Sequence, residues 1–160
     1  LSIANKISLA RFLRMQEIEG DFYSYQTFAM LLAIEQFAGK NNFGIDLYKA
    51  WISSRNKRNP DQAVLDFYQL VQSFNRLGFM PNFPIEYDDY DGLMTGGTHR
   101  LSCAMFFNIS EIPVIVKERS EERRKTPKFY GLSYFENLGL EKFATEAMKD
   151  KKEEVFKNIR

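Results

Sequence analysis

Thr95-Gly96-Gly97-Thr98-His99-Arg100 is the stretch of this sequence best equipped to hold an anion. Two adjacent glycines let the backbone approach a ligand closely, and they precede the helical spacing Leu101, Ala104, Met105, Phe107. The first-turn N–H groups of such a helix, at the positive end of its dipole, suit a phosphate. Thr98 either caps that helix or offers its hydroxyl, His99 brings a ring N–H, and Arg100 brings a fork that fits phosphate or carboxylate. His99, the sole histidine, is open to two roles: ligand contact, or a structural bond to a neighbouring carbonyl. Arg100 is assigned to ligand contact in preference to an ion pair with Asp88, Asp89 or Asp91. A phosphate-bearing small molecule is therefore the first ligand to consider.

Other reactive side chains have plainer readings. The acidic turn Asp88-Asp89-Tyr90-Asp91-Gly92 reads as a solvated hairpin tip. Because magnesium needs only one or two carboxylates beside phosphate oxygens, Asp88, Asp89 and Asp91 stay as candidate metal ligands. Cys103, inside the helix, reads as a small buried hydrophobe. Trp51 and Tyr90 are candidates for stacking on a sugar, although the 15 Phe and 8 Tyr mostly follow core spacing. Arg55, Lys57 and Arg58 read as a solvated basic loop.

The elements that must position these groups follow from periodicity. Ile3, Ile7, Leu9, Ala10, Phe12 and Leu13 predict one amphipathic helix over residues 3–18, capped by Ser2. A second helix is predicted over 24–37 and a shorter third around Ile45 to Ile52, followed by a loop over 53–59. Asn59-Pro60-Asp61 opens the clearest helix, over 61–77, with Gly78 as its stop. Residues 79–84 read as extended linker, 85–87 and 93–95 as paired strands, 98–107 as the helix after the glycines, and 112–116 as a β-branched strand. Pro113 predicts an edge or strand-entry position for that last strand. Residues 120–128 read as a solvated charge run, and the tail as one short and one longer helix.

Composition bounds the rest. One hundred and sixty residues, 44% apolar, fill one core and lead us to expect a single domain. The net charge of +1 gives no reason to expect a polyanion partner, and no helix-turn-helix is visible, so nucleic-acid binding is disfavoured. One cysteine excludes an intrachain disulfide framework and fits the cytoplasm. No apolar run reaches membrane-spanning length. A start at Leu1 leads us to expect a trimmed or processed product, or the ordered part of something longer.

The order helix 61–77, glycine, Pro-Ile strand, turn, Gly-x-His-Arg helix and Ile-Pro-Val strand resembles the ParB/sulfiredoxin superfamily, over about residues 62–118. The flanking segments, with Phe129-Tyr130-Gly131-Leu132-Ser133-Tyr134-Phe135, look like the variant found among bacterial surface-polysaccharide biosynthesis proteins. The resemblance implies an α+β fold: a small mixed sheet of ParB/sulfiredoxin type, with a helical N-terminal extension over 1–60, a core over 61–118 and a helical tail over 119–160. It also implies that Gly97, Thr98, His99 and Arg100, with Gly96 beside them, hold nucleotide phosphates. Sulfiredoxins carry their nucleophilic cysteine where this chain has Thr98, so sulfinic-acid reduction is not expected. The free-serine kinases carry an aspartate where it has Gly96 and use an upstream glutamate as base, for which Glu17, Glu19 and Glu35 are candidates. The Glu-Arg-Arg turn of ParB is missing, and Glu122-Arg123-Arg124 reads as coincidence.

The expectation is an ATP-dependent phosphotransferase, with or without magnesium, acting on a small hydroxyl compound or sugar intermediate in cell-surface polysaccharide synthesis. His99 and Arg100 would offset developing charge, and Glu17 or Glu19 would orient the acceptor. The alternative is a module that binds a nucleotide or phosphosugar without turnover.

Overall fold

The computed structural model describes residues 5–159. Within them the chain is a mixed α+β protein: eight helices and a four-stranded mixed sheet, with a separate two-stranded hairpin. The sheet consists of β1 (Asn5–Ser8), β4 (Ile85–Tyr87), β5 (Met94–Gly96) and β6 (Glu111–Val116), in the order β1-β6-β4-β5. β6 runs parallel to β4 and antiparallel to β1, and β4 is antiparallel to β5.

The first segment departs from its expected single helix over 3–18. Asn5–Ser8 is a strand on β6, with Ile7 opposite Ile112. Ser8 then caps α1 (Leu9–Met15) by accepting from the Arg11 amide. After α1, β2 (Glu17–Ile18) and β3 (Asp21–Phe22) form a hairpin whose turn, Glu19-Gly20, has φ of 49° and 83°. Two successive positive φ values match the right-handed twist of a tight hairpin. Four residues are too few for periodicity to separate strand from helix, and Ile7 fitted the helical stripe only because α1 follows directly. The expected cap Ser2 and residue Ile3 lie outside the described residues.

Pro113 takes the strand-entry alternative of its expectation and not the edge one. β6 is an inner strand, but Pro113 is near its start, at a register paired with β1 alone, and pairing with β4 begins at Val114. The loss of one ladder donor is thereby kept away from the parallel pair.

The helical part is built around α2 (Gln26–Phe37), nine of whose twelve residues are buried. It packs against α3 (Gly44–Arg55), and Gly44 makes that approach possible: a Cβ there would stand 2.1 Å from the Leu32 carbonyl oxygen. α3 thus runs through the segment read as the start of a basic loop. α4 (Pro60–Leu77) is capped by Asn59 and buries Ala63, Phe67, Val71 and Phe74 on one face. α5 (Thr98–Phe106) buries Leu101 to Met105. Three helices follow the sheet: α6 (Glu121–Lys125), α7 (Leu132–Glu136) and α8 (Lys142–Asn158). One contiguous apolar core runs from Leu9 to Phe156 and takes in Trp51, Tyr48, Phe67 and Phe135.

Tail and N-terminal region are stitched together beside the sheet. The Tyr25 amide donates to Tyr130 O and the Tyr130 amide to Tyr23 O. The Asp21 carboxylate accepts from the Leu132 amide at the start of α7. These bonds bring residues 127–130 against the turn between β5 and α5.

Candidate functional site

Gly97 is the N-cap of α5 with φ 98° and ψ 21°, a left-handed conformation that a side chain resists. Its neighbours add a second constraint: a Cβ at Gly97 would lie 3.2 Å from both Ile85 Cα and Arg100 Nη2. A cap without a side chain offers no acceptor, and α5 begins with no side-chain cap at all. Its first amides are thus left for a ligand or water, at the positive end of the helix dipole. A Cβ at Gly96 would lie 2.7 Å from Glu86 Oε1, so the Glu86 carboxylate occupies the space beside this glycine. Lys117 pairs with Glu86 at 3.4 Å.

Two clefts flank this turn and share Thr98. One, of about 470 Å³, lies between the C-terminal half of α4, the linker at Phe79, Met80 and Phe83, and Gly97 to Arg100. Its walls are mostly apolar, with Leu70, Phe74, Phe79 and Phe83 facing His99 and Arg100. The other, of about 290 Å³, lies across Gly96 and Thr98, beneath Arg119, Arg123 and Lys128, with Arg55, Tyr23 and Tyr130 as walls.

The structure gives His99 a defined role. Its Nε2 lies 2.8 Å from the Tyr48 hydroxyl, and the ring stands edge-on to Tyr48 and Phe67. Burial, then the positive charges of Arg58 and Arg100, pushes the imidazole down to about 4, so the ring is neutral at physiological pH. Burial pushes the fully buried Tyr48 phenol up to about 12, so it keeps its proton. If Nε2 donated, that buried phenol proton would have no acceptor among the described residues. Tyr48 therefore donates to Nε2, and the ring proton sits on Nδ1 as a donor. A neutral imidazole donates a hydrogen bond but carries no charge, so the expected charge-offsetting role falls to other groups.

Arg100 is half committed. Its Nη1 donates to the Pro84 carbonyl at 2.8 Å, tying α5 to the entry of β4. Asp88 and Asp91 pair with other arginines. Asp88, fully buried, accepts from the amides of Tyr90 and Arg119 and from the guanidinium groups of Arg119 and Arg124. These donors, Arg124 foremost, hold the Asp88 carboxyl well below the usual carboxylate range against the opposing effect of burial. Asp91 accepts from Arg119 and from the Leu93 amide. The acidic turn thus keeps an exposed tip at Asp89, Tyr90 and Asp91, while Asp88 beneath it anchors a buried ion-pair knot. Among the described residues no group of three His, Cys, Asp or Glu could hold a metal, and only Asp89 of the three aspartates is exposed and outside the knot.

The charge run over 120–128 is likewise structural as well as exposed. Arg124 belongs to the Asp88 knot, and its guanidinium lies over the Tyr90 ring. Arg123 lines the smaller cleft. Of Glu122-Arg123-Arg124, Arg123 alone lines that cleft, while Arg124 serves the knot. Glu17 lies 3.7 Å from Lys152, Glu19 occupies the hairpin turn, and Glu35 pairs with Lys151 at 2.8 Å. None of the three lines either cleft at the turn. Trp51 is buried against Phe135 and Tyr130 and serves the core. Cys103 is fully buried, and desolvation pushes its thiol up to about 12, as suits an inert apolar neighbour.

Buried polar groups without partners gather at the smaller cleft. Of four such side-chain atoms among the described residues, three belong to residues that line it: Gln26 Oε1, Thr95 Oγ1 and Arg119 Nη1. Each would cost about 1–3 kcal/mol if left unmatched. Arg55, Arg123 and Lys128 have no acidic partner among the described residues, while Arg55 lies over the rings of Trp51 and Tyr130. Sequence reasoning missed this half of the site, because Gln26, Arg55 and Lys128 are brought together only by packing.

Fold and site together define an α+β protein in which two clefts of opposite character meet at one glycine-capped helix N-terminus. No known protein family, curated protein or solved structure matches the chain.

Proposed function

We propose that this chain binds a nucleotide at the N-terminus of α5 and transfers its terminal phosphate to a small hydroxyl compound. The observation that carries the reading is the uncapped start of α5 opening onto an apolar, aromatic cleft. Such a cleft suits a nucleobase, and amides at a helix N-terminus suit the phosphates attached to it. His99 Nδ1–H and the unbonded part of the Arg100 fork are further donors on that side. The ParB/sulfiredoxin resemblance points the same way, as does the order of strands and helix around Gly96 to Arg100. A sugar intermediate of surface-polysaccharide synthesis is the acceptor class that the resemblance suggests.

In the transfer, the acceptor oxygen bonds to the terminal phosphorus as the bond to the bridging oxygen of the leaving diphosphate breaks. The acceptor proton passes to solvent or to the transferred phosphate: among the described residues no carboxylate lines either cleft, Glu17 and Glu19 lie elsewhere, and Glu86 beside Gly96 pairs with Lys117. Magnesium, where used, would be held by the phosphates themselves and would neutralise their charge. Most of the catalysis in such a reaction is positioning and charge stabilisation.

A thermal-shift panel of ATP, ADP, CTP, nucleotide sugars and inorganic phosphate, with and without magnesium, tests binding. One nucleotide should raise the melting temperature through linkage, and Arg100→Ala should abolish that rise. A urea titration of the same variant separates loss of the Pro84 bond from loss of ligand. Absence of any shift on the wild-type chain would remove the reading. Saturable binding with no product by phosphorus NMR would leave a module that binds without turnover.

A further inference from the structure

We propose that the smaller cleft, between Gly96–Thr98 and the Arg119–Tyr130 segment, is a second ligand site that takes a phosphorylated sugar or polyol. Arg55, Arg123 and Lys128 converge on it without an acidic partner among the described residues, and like charges held together this way call for an anion. Their mutual repulsion is visible at Lys128, whose ammonium is pushed down by Arg123 first, then by Lys57.

The floor asks for more than an anion. Gln26 is only 6% exposed, yet its side-chain oxygen has no donor, and the buried Thr95 hydroxyl is also unpartnered. A carboxamide oxygen can only accept, so the matching ligand group is an O–H or N–H donor. Arg119 Nη1 nearby needs an acceptor. A polyhydroxylated ligand supplies both in one molecule. Tyr23 and Tyr130 provide aromatic surface for the apolar face of a sugar ring. The cleft's volume, about 290 Å³, is at the small end for ligand sites and suits a monosaccharide. As a binding site this cleft stands by itself. Its use as the acceptor site rests on the nucleotide reading above, because the two clefts share Thr98.

Isothermal titration of the chain with a hexose 6-phosphate, the free hexose, inorganic phosphate, ATP and a short single-stranded RNA tests the proposal. The variant is Arg123→Ala with Lys128→Ala, both exposed positions, with a urea titration to verify folding. The hexose phosphate should bind at least about tenfold more tightly than either inorganic phosphate or free hexose, and should lose about tenfold or more in the double variant. Gln26→Leu should weaken the hexose phosphate while leaving inorganic phosphate unchanged. ATP affinity should fall far less than that of the sugar phosphate in the double variant, since Arg123 and Lys128 line the smaller cleft and not the larger one. Equal affinity for hexose phosphate and inorganic phosphate would overturn the proposal, as would RNA displacing the sugar phosphate. An ATP affinity that falls as far as that of the sugar phosphate would overturn it too, by making the cleft part of the nucleotide site. Retained sugar-phosphate binding with no ATP binding would sink the nucleotide reading alone.

Discussion

Asp88 shows how far one buried carboxylate is tied to its surroundings. It gathers Arg119, Arg124 and two backbone amides around β4, and so holds the segment that carries Arg123 and Lys128 over the cleft. Asp88→Ala would leave Arg124 without its acidic partner and Arg119 with Asp91 alone, at a cost of about 3–5 kcal/mol measured by urea unfolding. The folded carboxyl titrates below its unfolded value, so its contribution is complete above the ordinary carboxylate range. It is lost as pH falls through that range towards the depressed folded value. Wild-type stability should therefore drop in acid more steeply than that of Asp88→Asn. His99 adds a separate pH dependence. Its folded imidazole lies at about 4 against an ordinary 6.5, so between these values the unfolded chain binds the extra proton and stability falls as pH falls. The total is on the order of 3 kcal/mol. His99→Gln should remove that slope between pH 6.5 and 4, and a retained slope would show that the ring is not held neutral.

At the scale of elements, two glycines fix where the site can form. Gly44→Ala would drive a methyl group into the Leu32 carbonyl and separate α3 from α2, at a cost of about 1–3 kcal/mol or more. A lowered urea midpoint would be the readout. Because α3 carries Tyr48 and Arg55, the same change should loosen both clefts. The glycine pair, the helix after it and the strands beside it were legible in the sequence, since turn chemistry and period are local signals. The Asn59 cap and Pro60 marked α4 equally well. β1 was not legible: its partner β6 lies more than a hundred residues away, and its four residues carry no period of their own. The cationic wall was hidden for a related reason. Arg123 and Lys128 look like any solvated charge run until Asp88 pins Arg119 and Arg124 and the bonds at Tyr130 fold the tail back.

Across the whole molecule, a net charge of +1 conceals a strong local asymmetry. Beside the site Asp88 and Asp91 are taken up by Arg119 and Arg124, while Arg55, Arg123 and Lys128 have no acidic partner among the described residues on one side of Gly96–Thr98. Average composition therefore says little about the partner, and placement says more. Affinity for an anion in the smaller cleft should fall as salt rises from about 0.05 to 0.5 M, because exposed charges are screened over that range. The central claim concerns the other side of the turn, where the start of α5 is proposed to hold nucleotide phosphates. It is tested most directly by following the backbone amide resonances of the chain during an ATP titration, with inorganic phosphate as a second ligand. The account predicts saturable shifts centred on Gly97, Thr98, His99 and Arg100, with Phe79 and Phe83 moving for ATP but not for phosphate. ATP shifts that saturate elsewhere, or amides of residues 97–100 that stay still, would contradict it.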